Sequence, residues 1–139
     1  MTLHTTILLL GSDLGDRNKS INDAKSFINK EIGSVKKESN ILETKSIGFT
    51  SDQNFLNQTL VVQTKLSPMQ LLRALKDIEK RMGRVYMTPK PGEMYTSRII
   101  DLDILYYDKI NFKSKYLLIP HPQVYTRPFV TNLLNDISL

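Results

Sequence analysis

Cysteine is absent from these 139 residues. That excludes a disulfide framework, a thiolate metal centre and a cysteine nucleophile, and it fits a reducing compartment. Long apolar runs are also missing. The stretch Ile7 to Leu10 is short, with no basic segment before it and no small-residue cleavage site after it. It is too brief for a signal peptide or a membrane span, so a cytoplasmic protein without membrane association is expected. No repeat, linker or low-complexity tract interrupts the chain. What is present suits one domain over residues 1–139: 40% hydrophobic and 24% charged residues support a core and argue against disorder. A net charge of +5 points weakly to anionic partners such as phosphates, nucleotides or nucleic acid.

Taken in order, Thr5 to Leu10 predicts a buried strand, and Gly11-Ser12-Asp13-Leu14-Gly15-Asp16 a loop that either cradles a ligand or merely turns. Asp16 suits a helix N-cap, and Ile21, Ala24, Phe27, Ile28 and Ile32 recur at helical spacing. Gly33 stands where a left-handed C-terminal cap belongs. A second strand is expected over Val35 to Thr44, followed by a polar loop from Lys45 to Asn54. In the strand from Phe55 to Thr64, Leu56, Leu60 and Val62 share one face, leaving Phe55 and Asn57 together on the other. That pair is either a half-buried ring with a turn-side amide or a seat for a flat heterocycle. Ser67-Pro68-Met69-Gln70 reads as a capping box with proline at the first helical position. The helix extends to Met82 and is closed by Gly83. Glu79 borders its apolar stripe, either ion-paired to a nearby base or facing a nucleotide.

Pro89, Pro91 and Gly92 make a loop of Arg84 to Ser97. The next strand, Arg98 to Tyr107, places Ile100, Leu102 and Ile104 on one face and Asp101 and Asp103 on the other. Two carboxylates about 6.6–6.8 Å apart along a strand repel unless a cation joins them. They are either a solvated acidic edge or a seat for Mg²⁺, which favours oxygen ligands and substrate phosphates. Beyond Asp108-Lys109, a hairpin is expected over Ile110–Phe112 and Tyr116–Ile119. Pro120-His121-Pro122 is stiff, and the tail from Val130 is a short apolar helix or coil that packs back. The order strand-helix-strand-strand-helix-strand predicts an α+β, ferredoxin-like βαββαβ antiparallel sheet with an added C-terminal hairpin and short helices. Its helix-free face would be open for a site.

Several stretches, in this order, resemble the 6-hydroxymethyl-7,8-dihydropterin pyrophosphokinase family. They include Leu10 to Asp16, Phe55-Leu56-Asn57, Ile78-Glu79, Gly83-Arg84, Arg98 to Ile104, Ile119-Pro120-His121-Pro122 and Arg127-Pro128-Phe129-Val130. The resemblance implies transfer of diphosphate from ATP to the pterin alcohol in folate biosynthesis, with ATP as co-substrate and two Mg²⁺ held by Asp101 and Asp103. It implies that Arg84 and Arg98 stabilise the migrating diphosphate, with His121 and Arg127 on the nucleotide side. Leu72, Lys76, Glu79 and Ile104 would line the ATP site. The pterin would lie between Phe55 and Phe129, read by Asn57 and Thr44, with Lys45 and Ile47 giving backbone contacts. Gly11 and Ser12 would close the pocket floor, and Tyr95 stands where the family often has an indole. The implied partners are small molecules, with no nucleic acid or membrane, and the implied working unit is a monomer.

This chain departs from the family in having Asp13 for asparagine, Tyr86 for a basic residue and Thr96-Ser97 for Gly-Pro. Two rival readings are a nucleotide- or pterin-binding paralogue with weak or no transfer, and a ferredoxin-like nucleic-acid-binding module. The second would want more exposed stacking rings than Phe55 supplies.

Overall fold

The computed structural model describes residues 2–45, 54–85 and 98–137. In chain order the elements are β1 (His4–Ser12), α1 (Arg17–Glu31), β2 (Gly33–Glu38), β3 (Leu42–Thr44), β4 (Phe55–Thr64) and α2 (Pro68–Arg81). There follow β5 (Asp101–Tyr107), β6 (Phe112–Lys113), β7 (Leu118–Ile119), α3 (Gln123–Thr126) and α4 (Pro128–Asp136). The main sheet runs β2-β4-β1-β5, antiparallel throughout, with β3 continuing the β2 edge along β4. This is the expected ferredoxin-like α+β arrangement, with β6 and β7 as the added hairpin.

Local signals account for both long helices. Asp16 caps α1 by accepting from the Lys19 amide. Ser67 and Gln70 cap α2 reciprocally, and Gly83 ends it at φ 97°. Both helices lay their apolar stripes on one sheet face. There Ile21, Ala24 and Ile28 of α1 and Leu71, Leu75 and Ile78 of α2 meet Leu8, Leu10, Leu60, Val62, Leu102 and Ile104.

Three expectations are corrected. The predicted strand from Val35 to Thr44 is two strands. Between them the Ser39 hydroxyl accepts the Thr59 amide at 2.9 Å, and the Ser39 carbonyl accepts the Gln58 side chain at 2.8 Å. Side chains there take over the ladder's hydrogen bonds. Gly33 is not a left-handed cap but the first residue of β2. A β-carbon on it would stand 1.9 Å from the Gln63 carbonyl oxygen, so glycine is required by the close approach of β4. The helix-free face is also not wholly open. Val130, Leu133 and Ile137 of the tail pack over Ile7, Leu9, Val61 and Leu105 as a second core. Gly11, Asn57 and Asp101, at one end of this face, lie outside that second core.

Strand β5 begins at Asp101 rather than Arg98 and contains an irregularity. Ile7 pairs with Tyr106 but Leu8 with Ile104, so Leu105 is an extra residue, a β-bulge. Its carbonyl accepts the His121 amide at 2.9 Å, which ties the Pro-His-Pro segment to this strand.

Candidate active site

Strand register assembles the site. Gly11 of β1 lies opposite Asn57 of β4 and Asp101 of β5, and Leu9 lies opposite Thr59 and Asp103. Paired residues share a face, so Gly11, Phe55, Asn57, Asp101 and Asp103 point away from α1 and α2. A β-carbon on Gly11 would touch Asn57 Oδ1 at 3.4 Å and the Phe55 ring at 3.6 Å. Both residues are buried, and Gly11 packs directly against them. Ser12 alternates to the helix face opposite Leu56, and its hydroxyl is buried without a hydrogen-bond partner among the described residues.

The Asn57 amide nitrogen donates to Thr44 Oγ1 at 2.9 Å and to the Leu42 carbonyl at 3.2 Å. With both donors committed, the side chain presents its oxygen, an acceptor. Lys45 follows Thr44, exposed, at the end of β3. Ile47, Tyr86 and Tyr95 lie outside the described residues.

At the carboxylate end, Asp101 accepts from Arg84 at 2.8 Å through one oxygen and from Arg98 at 2.9 Å through the other. Arg84 also meets Glu79 at 2.7 Å. Glu79 is 1% exposed, and the same carboxylate oxygen accepts the Leu102 amide at 2.7 Å. It is ion-paired, the first of the two readings weighed from the sequence, and it also lines a cavity with Arg98 and Asp103. Asp13, also 1% exposed, accepts the Arg98 amide at 2.6 Å while its own amide donates to the Arg98 carbonyl. One oxygen of its carboxylate is thus bonded to the Arg98 backbone.

Arg84, Arg98, Asp101, Asp103, His121 and Arg127 line one cavity of about 530 Å³. A neighbouring space of about 310 Å³ shares Lys76, Asp103 and His121 with it and adds Leu72 and Ile104. A larger and more apolar cavity, about 730 Å³, lies among Thr5, Ile7, Tyr106 and Leu134 at the opposite end of the sheet. Asp108 and Lys109 also line it, but none of the arginines that line the first cavity do. Burial pushes the Asp103 carboxyl up to about 7, helped by the adjacent Asp101 and by Glu79, while Gln123 and Arg98 oppose the shift. Burial lowers His121, and Arg127 adds to this against Asp101. His121 Nδ1 accepts the Gln123 amide at 3.2 Å, so a neutral ring carries its proton on Nε2.

Among the described residues no three or more His, Cys, Asp or Glu side chains group into a complete metal cage. Two carboxylates on one face beside an arginine-lined cavity fit Mg²⁺, which takes one or two carboxylates and completes its shell with phosphates and water.

The sequence reading passes over Gln123, which donates to Asp103 Oδ2 at 3.0 Å and accepts from Arg127 at 3.3 Å. Its partners come from β5 and from the following turn, and no local pattern announces them. Arg127 in turn stacks its guanidinium 4.4 Å above the centre of the half-buried Phe129 ring.

A family model described as 7,8-dihydro-6-hydroxymethylpterin-pyrophosphokinase (HPPK) matches residues 7–139. The chain is 33% identical over 131 residues to 2-amino-4-hydroxy-6-hydroxymethyldihydropteridine pyrophosphokinase of Bacillus subtilis, covering 94% of this chain and 75% of that protein. It is 38% identical over 131 residues to a mitochondrial folate synthesis bifunctional protein of Pisum sativum, covering 94% of this chain. It spans 24% of that longer relative. A crystal structure of HPPK-DHPS in complex with substrates superposes with a TM-score of 0.71 at 17% identity, over 98% of this chain and 40% of that one. That likeness supports the fold.

Proposed function

The chain belongs to the 7,8-dihydro-6-hydroxymethylpterin-pyrophosphokinase family, and from that premise we propose that it transfers the terminal diphosphate of ATP to 6-hydroxymethyl-7,8-dihydropterin in folate biosynthesis. The hydroxymethyl oxygen bonds to the β-phosphorus and gives up its proton. The bond from that phosphorus to the oxygen bridging the α-phosphate breaks, and AMP leaves. One observation carries the reading: Asp101 and Asp103 project from one sheet face into an arginine-lined cavity, on the same face as the Gly11–Asn57–Phe55 surface.

Each residue then has a task. Asp101 and Asp103 would hold two Mg²⁺, which supply positive charge to the diphosphate and lower the pKa of a bound hydroxyl. Arg84 and Arg98, paired with Asp101 in this structure, would exchange that carboxylate for phosphate oxygens. His121 offers its Nε2 proton, and Arg127 its charge, to the nucleotide phosphates. Leu72 and Ile104 flank the base, with Lys76 and Glu79 at its polar edge. Phe55 and Phe129 stack on the pterin, while Asn57 Oδ1 and Thr44 read its donors. Lys45, Ile47 and Tyr95, with Gly11 and Ser12, would complete the pterin side. Such a reaction needs positioning and charge neutralisation more than covalent help. The working unit in this reading is a cytoplasmic monomer.

The test is AMP release from ATP, followed by chromatography. AMP should form only when both Mg²⁺ and the pterin alcohol are supplied. Asp101→Ala and Asp103→Ala should each lower it by about 10²–10³ or more while the circular dichroism spectrum is unchanged. Nucleotide binding without AMP release would leave a binding paralogue, and full turnover in either variant would remove the metal assignment.

A further inference from the structure

Gln123 occupies a position that a simple turn residue would not need. It is 6% exposed, and three separate functional groups converge on it. Its side-chain nitrogen donates to Asp103 Oδ2 at 3.0 Å. Its side-chain oxygen accepts from Arg127 at 3.3 Å. Its backbone amide donates to His121 Nδ1 at 3.2 Å. The amide orientation is not arbitrary. Turned the other way, it would set an oxygen against a carboxylate and an NH₂ group against a guanidinium. Only a neutral side chain with a donor at one end and an acceptor at the other satisfies both neighbours. Glutamate would repel Asp103, and lysine or arginine would repel Arg127.

We propose that Gln123 is a positioning residue that fixes the Asp103 carboxylate and the Arg127 guanidinium together, so that the metal seat and the Phe129 ring are held in one geometry. The inference rests on the metal and pterin roles proposed above. By engaging Oδ2, Gln123 sets the rotation of the carboxylate and leaves Oδ1 as the oxygen free of this contact. By holding Arg127, it keeps the guanidinium 4.4 Å over Phe129. Its backbone amide meanwhile directs the His121 Nε2 proton outward. Groups that hydrogen-bond a ligating carboxylate set its orientation, and their loss typically weakens metal affinity about 10–100-fold.

The experiment compares wild type with Gln123→Met, of the same length but with neither hydrogen bond, and Gln123→Glu, which keeps the acceptor toward Arg127 and loses the donor toward Asp103. Mn²⁺ affinity is read by electron paramagnetic resonance in the presence of a non-hydrolysable ATP analogue. The KM for the pterin alcohol is read from AMP release. Gln123→Met should lose about tenfold or more in Mn²⁺ affinity and raise the pterin KM about tenfold. Gln123→Glu should alter Mn²⁺ affinity but restore the pterin KM toward wild type. A Gln123→Met protein with the melting temperature, Mn²⁺ affinity and pterin KM of wild type overturns the proposal. So does a Gln123→Glu protein whose Mn²⁺ affinity equals wild type, which decides the matter even where Gln123→Met does not fold. A wild-type protein that binds Mn²⁺ with the nucleotide yet releases no AMP would sink the proposed transfer reaction, while the Mn²⁺ comparison would still judge Gln123.

Discussion

Glu79 and Asp103 are both acids removed from bulk water, and their neighbours treat them differently. Glu79 has a guanidinium and a backbone amide on one oxygen, whereas Asp103 faces another carboxylate, Asp101, and a neutral amide. The first is an ion pair; the second, in the reaction proposed above, would take its positive charge from a metal ion. Glu79→Ala should therefore destabilise the fold by about 3–5 kcal/mol, the cost of stranding a buried partner. Glu79→Gln, which can still accept the Leu102 amide, should lose clearly less. Urea denaturation of the two variants checks the order, and equal losses would contradict it. The two aspartates were legible because strand alternation is a property of three adjacent residues. Gln123 was not, because its contact with Asp103 spans 20 residues and a hairpin.

Capping boxes and turn glycines are local, and both long helices were accordingly readable to within a residue or two. Strand interruptions are not local. The break between β2 and β3 follows from Ser39 bonding to β4, 19–20 residues away. Gly33 was misread for the same reason, since its constraint is the β4 backbone rather than its own φ angle. Gly33→Ala should destabilise the protein by about 1–3 kcal/mol through overpacking, measured as a lower urea midpoint. No loss there would mean the strands can separate freely. The turn after β5 gives a second element-level test. Asp108 sits at φ 48°, accepting from the Thr5 amide at 2.8 Å and contacting His4 at 2.7 Å. Burial pushes its carboxyl up, but the Thr5 amide and the His4 ring outweigh this and hold it below the usual carboxylate range. A lowered folded pKa gives stability that is present above about pH 4 and lost as pH falls through the folded value. Asp108→Asn tolerates the same backbone. It should be less stable than wild type at pH 7 by about 0.2–1 kcal/mol, the range for a partly exposed pair. The gap should close in acid; denaturation series at several pH values would reveal a gap that stays constant.

At the scale of the molecule, one sheet serves two cores. The larger, under α1 and α2, was predictable from helical periodicity. The smaller, under α4, was only half visible, because a tail's apolar residues do not say which surface they cover. Leu133 is 1% exposed in that smaller core, and its carbonyl accepts the Thr59 hydroxyl at 3.1 Å. Leu133→Ala should remove about 2–5 kcal/mol of stability. AMP formation by the folded fraction at low temperature should be unchanged, and a loss of activity without a loss of stability would tie Leu133 itself to the chemistry. The extra residue at Leu105 bears on both ends of the sheet at once. It inverts the parity of β5: odd-numbered side chains face the cavity before it, whereas Tyr106 joins them after it. Tyr107 thereby reaches the helix side, where its hydroxyl donates to the Leu66 carbonyl at 2.7 Å. Shortening the strand by one residue at that point would put the acids and Tyr107 in competition for orientation, so that only one of them kept its side. Length changes of two residues preserve the phase, and drift in this strand among related chains should accordingly come in even steps.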